Sequence, residues 1–306
     1  MILFAILLAA MIFGGSYYAF RSAFYVSRKD TSPPPLVLTE QYEPYRPRMR
    51  QIRDALTAIP YEKVTITSFD GLKLCGRYYH TADGAPLDIC VHGYKSNPII
   101  DFSGGSEMSF AMGHNVLMLE HRAHCESEGH VITFGILERR DVTSWIRYAI
   151  DRFGSDIPIF LYGVSMGGAT VLMIANLPLP KNVKGIIADC PYDSPANIIG
   201  EVGKGQHFPP AVTKFLATLG ARIFGGFDLH EIDAIRAVKN TRIPILIIHG
   251  NDDRFVPCQM SLNVRDANPD MVTHYLIPTA AHGIAYLVDT PFYWEKVSEF
   301  IQKCME

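Results

Sequence analysis

The segment Gly163-Val164-Ser165-Met166-Gly167 has the residue types and spacing that most directly suggest chemistry. It follows the apolar run Ile157–Tyr162 and leads into a helical pattern that continues through Gly168-Ala169. A turn from strand to helix that tight excludes side chains around the serine, so glycines flank it and its hydroxyl stands at the tip. Such a serine can attack a carbonyl if a base takes its proton and an acid orients the base. His282, in Ala280-Ala281-His282-Gly283, falls just after the run Tyr275–Ile277 and is the expected base. Asp253 falls after the run Ile243–Ile248 and is the expected acid. Of the eleven histidines, His282 alone combines a place behind Asp253 with a loop after the last strand.

Charge that develops on an attacked carbonyl oxygen needs two backbone N–H groups aimed at it. Met166, next to the serine at a helix start, offers one. The other is expected after the run Leu87–Val91, where the chain reads His92-Gly93-Tyr94-Lys95-Ser96-Asn97 and Gly93 frees the backbone to present the Tyr94 amide.

The elements that must hold these residues are legible as patterning. Lys63–Phe69 and Lys73–His80 flank Asp70-Gly71 and predict a hairpin. Beyond it, short apolar runs at Leu87–Val91, Val116–Leu119, Ile157–Tyr162, Val183–Ala188, Ile243–Ile248 and His274–Ile277 alternate with helical patterns. Those patterns are clearest at Gly135–Phe153, Met166–Asn176, Gln259–Ala267 and Pro291–Lys303. Continuous apolar strands separated by helices predict an α/β fold, a mostly parallel central sheet covered on both faces. Residues 192–240 hold no strand-like run and several glycines, and read as a helical cap over the C-terminal edge of the sheet, where α/β folds bind ligands.

Residues 1–20 carry no charge, enough for a helix to cross about 30 Å of hydrocarbon. Aromatic residues (Tyr17, Tyr18, Phe20, Phe24, Tyr25) and then Arg21, Arg28 and Lys29 mark its far end. This predicts an uncleaved transmembrane anchor over 1–25 with the rest of the chain on the cytoplasmic side, the alternative being a cleaved export signal. Residues 26–60 read as a Pro-rich, extended linker with a short helix over Arg48–Ala58, and 61–306 as a domain whose fold is complete without the anchor. A net charge of −3 gives no basic field for nucleic acid, and no phosphate-cradling Gly-Lys-Ser/Thr loop argues for an NTPase. The six cysteines form no Cys-x-x-Cys pair and read as free thiols in a reducing compartment.

From about Tyr61 onward the sequence resembles the α/β-hydrolase fold family, in its esterase, lipase and peptidase-like branch. The motifs are His92-Gly93-Tyr94, Gly163-Val164-Ser165-Met166-Gly167-Gly168, His249-Gly250-x-x-Asp253-x-x-Val256-Pro257 and the His282 loop. The family's acid stands three residues after His-Gly and three before Val-Pro, which Asp253 satisfies and Asp252 does not; some members place the acid where Asp189 stands. Arg122-Ala123-His124-Cys125-Glu126-Ser127 resembles the family's Arg-Gly/Ala-His-Gly-x-Ser loop, with Cys125 in place of a glycine. The resemblance gives that loop a structural role, so that His121 and His124 are not read as metal ligands. It implies a Ser-His-Asp hydrolase of carboxylic esters, acting on small-molecule or lipid-derived acyl substrates with no cofactor or metal. An amidase or peptidase with the same triad is the alternative, and a silent hydrolase-fold scaffold a further one.

Overall fold

The computed structural model describes residues 1–27 and 40–306. Arg28, Lys29 and Pro33–Pro35, on which the expected topology and linker partly rested, lie outside the described residues. The hairpin forms around Asp70-Gly71 as β1 (Glu62–Thr67) and β2 (Lys73–Tyr79), and Gly71 takes the positive φ of 92° that the turn requires. The remaining strands are β3 (Leu87–Val91), β4 (Asn115–Leu119), β5 (Ile159–Val164), β6 (Val183–Asp189), β7 (Ile245–Gly250) and β8 (Val272–Ile277). They complete one sheet ordered β1-β2-β4-β3-β5-β6-β7-β8, antiparallel where β2 meets β1 and β4 and parallel elsewhere.

The apolar runs are continuous because both faces of the sheet are covered. Leu87, Ile89, Val91, Leu161 and Ile247 point into one core with α4 (Glu138–Phe153), α5 (Met166–Met173) and α9 (Gln259–Ala267). Their neighbours Cys90, Phe160, Tyr162 and Leu246 point into a second core with α2 (Arg46–Ala58), α3 (Pro98–Ala111) and α11 (Thr290–Met305). Helix α3 escapes the sequence patterning because glycine and serine make up much of its buried side: Ser103, Gly104, Gly105, Ser106 and Ser109 are all buried. A Cβ on Gly104 would sit 2.5 Å from the Tyr286 ring. The expected cap is helical, comprising α6 (Pro195–Gly205), α7 (Pro210–Gly220), a π-helical turn (Ala221–Gly225) and α8 (Ala234–Val238).

Two expectations at the N-terminus fail. Residues 40–47 are not an extended linker: Glu40–Tyr45 is a 3-10 helix and Arg46 opens α2, with Pro47 in the first turn, where a missing N–H costs nothing. What holds the segment is Tyr42, buried against Ala281 and Ile284. Nor is the N-terminal helix α1 (Ile2–Ala23) separate from the core of the domain. Met1–Met11 are exposed, but Ser16, Phe20 and Phe24 are buried, and both phenylalanines belong to the larger core. The chain beyond the helix then lies along residues 130–132, with Val26 N–H donating to His130 and Ile132 N–H donating to Phe24.

Candidate active site

The turn from β5 into α5 carries Ser165 at φ 55° and ψ −115°, a left-handed conformation that costs a non-glycine residue about 1–3 kcal/mol. Close packing enforces it. A Cβ on Gly163 would lie 2.2 Å from the Gly167 carbonyl oxygen, and one on Gly167 would lie 1.8 Å from that of Val91. Only glycine fits at either place. Ser165 N–H donates to the Asp189 carbonyl at 2.8 Å, tying the turn to β6.

His282 and Asp253 arrive on the loops after β8 and β7. His282 Nε2 lies 2.9 Å from Ser165 Oγ, and its Nδ1 lies 2.7 Å from Asp253 Oδ2. The carboxylate can only accept, so Nδ1 carries the hydrogen and Nε2 is left to accept from the serine hydroxyl. Asp253 is fixed in turn: its Oδ1 accepts from the Phe255 and Val256 N–H groups, and His249 Nε2 reaches Oδ2 at 3.1 Å. Burial works to raise the Asp253 carboxyl, but His282 and His249 hold it well below the usual carboxylate range. Burial likewise pushes His282 down, and the carboxylates of Asp253 first and then Asp189 and Asp101 together offset it, leaving the imidazole above its ordinary value.

The rival acid is placed otherwise. Asp189 accepts from Tyr293 Oη at 2.9 Å and is pushed up to about 6 by burial. Asp252 faces outward, bonded to Gln41 and Arg254.

On the other side of Ser165, a Cβ on Gly93 would come within 3.4 Å of the serine Cβ, so the loop after β3 runs alongside the nucleophile. Met166 opens α5, and its N–H is one of the four that a helix start leaves without an intrahelical acceptor. Asp101, on α3, holds the Gly93 loop: its Oδ2 accepts from Gly93 N–H and its Oδ1 from Ser96 Oγ, each at 2.6 Å. Three buried histidines complete the support. His92 Nδ1 donates to the Gly93 carbonyl while its Nε2 accepts from His121 N–H. His124 Nε2 accepts from Lys95 N–H, and its Nδ1 donates to the Arg122 carbonyl. Each of these two rings uses one nitrogen as acceptor and so must be neutral. Burial agrees, pushing His92 well down and His124 to about 4. Cys125, where the resemblance expected glycine, keeps the left-handed backbone at φ 45°, and Arg122 beside it is locked by Asp141 and Asp70.

Three contributors carried no sequence signal that singled them out. Asp101 sits in a helix that patterning missed. Tyr42, from the supposed linker, donates to the His282 carbonyl at 2.8 Å. Cys190 Sγ lies 4.0 Å from His282 Nε2, and together with Asp253 and His282 it forms the one metal-like cluster among the described residues. Its thiol is pushed well up by burial and by the neighbouring Asp189 and Asp253 carboxylates, which disfavours the thiolate a metal would need.

Comparison with known proteins bears on the fold. Residues 89–212 match the family model described as the alpha/beta hydrolase fold. An uncharacterized Bacillus subtilis protein, YqkD, is 23% identical over 226 residues, covering 73% of this chain and 74% of its own. Among solved structures, the Pyrococcus furiosus esterase Pf2001 superposes with TM-score 0.67 at 22% identity, covering 83% of this chain and 95% of its own. Est1E of Butyrivibrio proteoclasticus, solved with ferulic acid bound, superposes with TM-score 0.59 at 19% identity, covering 80% and 99%. Sheet order, the turn at Ser165 and these likenesses agree: the chain is an α/β-hydrolase-fold protein.

Proposed function

We propose that this protein is a membrane-anchored serine hydrolase that cleaves carboxylic esters through an acyl-enzyme. The observation that carries the reading is the continuous contact from Ser165 Oγ through His282 to Asp253, at 2.9 and 2.7 Å. Ser165 attacks the ester carbonyl as His282 Nε2 takes its proton, and Asp253 stabilises the imidazolium that forms. The amides of Met166 and Tyr94 receive the oxyanion, a contribution of about 3–4 kcal/mol for one such donor. His282 then returns the proton to the departing alkoxide, and water attacks the acyl-Ser165 ester by the same route in reverse. The likeness to Pf2001 and Est1E, an esterase and a ferulic-acid-bound protein, supports ester over amide substrates.

Helix α1, 22 residues long and apolar, supports the anchor, and Arg21 at its end supports a cytoplasmic catalytic domain. The test is labelling of the detergent-solubilised full chain by a fluorophosphonate, with p-nitrophenyl ester turnover across acyl lengths. Wild-type labelling and turnover, both lost in Ser165→Ala, is the expected result; turnover that survives the substitution refutes the reading.

A further inference from the structure

We infer that cap helix α7 lies in the membrane beside α1 and presents its outer face to the lipid acyl chains. The inference rests on the anchor reading above and extends it from one helix to a two-helix membrane surface.

The first observation is a length. The part of α1 that stands clear of the protein, Ile2–Met11, rises about 15 Å at roughly 1.5 Å per residue. A bilayer core is about 30 Å thick, so the free portion alone reaches only about half of the way across. The missing half lies in the stretch after Met11, and that stretch is already packed against the cap. A Cβ on Gly15 would meet Leu216 at 3.2 Å, and one on Gly220 would meet the Ser16 carbonyl oxygen at 2.4 Å. Phe13, Tyr17 and Phe20 all pack their rings on Phe224, with centroids 5.2 to 5.8 Å away. Small residues that let two helix backbones approach this closely are the packing mode of helices within membranes. If α1 crosses, its docked end enters the hydrocarbon and brings α7 with it.

The second observation is what α7 shows on its other side. Phe208, Val212, Phe215 and Ile223 are each about half exposed, at 56%, 49%, 52% and 54%. Val212 and Phe215 are three residues apart on one helix face, and Phe208 just before the helix and Ile223 in the π-helical turn just after it are exposed as well. The buried side of α7 is occupied elsewhere, by Ala217 in the core and Gly220 on Ser16. An apolar stripe exposed beside an apolar helix forms one continuous surface, and a lipid surface is the partner that matches both its chemistry and its position. The same end of α1 touches the site: Tyr94 Oη donates to the Ala23 carbonyl at 2.8 Å. The loop bearing one oxyanion amide is therefore held against the helix that enters the bilayer.

The test places a tryptophan at Phe215 in the full chain, reconstituted in phosphatidylcholine vesicles, and repeats it in lipid brominated on the acyl chains. Met305→Trp, an exposed site at the end of α11 on the opposite face of the sheet, is the control. With the emission of the wild-type chain, from Trp145 and Trp294, subtracted, the expected result is added emission that is blue-shifted and roughly halved by bromine for Phe215→Trp and neither effect for Met305→Trp. Unquenched emission at Phe215→Trp, or equal quenching at both positions, overturns the inference. Alkaline washing of the same vesicles separates the two readings. A chain that washes off takes the anchor and this inference together; a retained chain with unquenched Phe215→Trp takes this inference alone.

Discussion

Replacing Phe24 by alanine in the full chain tests whether the N-terminal helix is part of the fold or only its tether. Phe24 is fully buried, with its ring edge-to-face against Phe134 at 5.6 Å and Phe227 at 5.3 Å. Truncating a buried phenylalanine to alanine removes its transfer energy and leaves a cavity, costing about 3–5 kcal/mol. Domains of this kind have about 5–15 kcal/mol in total, so the variant should lose a large part of its stability. Deleting residues 1–27 removes Phe20 as well as Phe24 and should leave no cooperatively folded domain. The assay is guanidinium unfolding of the detergent-solubilised full chain, followed by tryptophan fluorescence of Trp145 and Trp294. Membrane retention of Phe24→Ala should be unchanged, since Ile2–Ala23 is untouched. A loss below about 1 kcal/mol, or a truncated chain that unfolds at the wild-type midpoint, would refute the claim that this end of α1 is core.

Other expectations concern the site. Asp253→Asn should keep the structure but lower kcat by about four orders of magnitude, because an amide can hold the wrong His282 tautomer; steady-state ester kinetics would read it. Ester turnover should rise with pH through an apparent pKa above the ordinary histidine value of about 6.5, since His282 must be neutral and its pKa is raised. Global stability should fall as pH drops from about 7 to 5. His92, His121, His124 and His274 are held down by burial and take up protons in the unfolded chain first, costing about 2 kcal/mol each by pH 5. Asp141 and Asp189, raised to about 6, oppose this by about 1 kcal/mol each, and the raised His282 opposes it too. Denaturant midpoints across that range, repeated with His124→Gln, check the sign. Gly167→Ala should not fold, its methyl falling 1.8 Å from the Val91 carbonyl; soluble, cooperatively unfolding protein would contradict the packing described here.

The sequence by itself determined the sheet and the three residues it brings together. Continuous apolar runs in β3 through β7 report strands buried on both faces, and Gly163 and Gly167 report a turn whose sterics leave no alternative. These are local signals, written in the period of the chain and in residues that lack a side chain. What tertiary structure decided is everything that depends on two distant segments meeting. Nothing near Asp101 in sequence says that its carboxylate will hold Gly93, nor that Tyr42 will reach His282 from a stretch whose prolines read as a linker. Helix α3 was hidden because it buries glycine and serine where patterning looks for large apolar groups. The N-terminal helix is legible in the sequence as apolar and long, but its composition is equally suited to lipid and to core. Which residues face which environment follows only from the approach of Gly220 to Ser16 and of Phe134 to Phe24, contacts between segments more than a hundred residues apart.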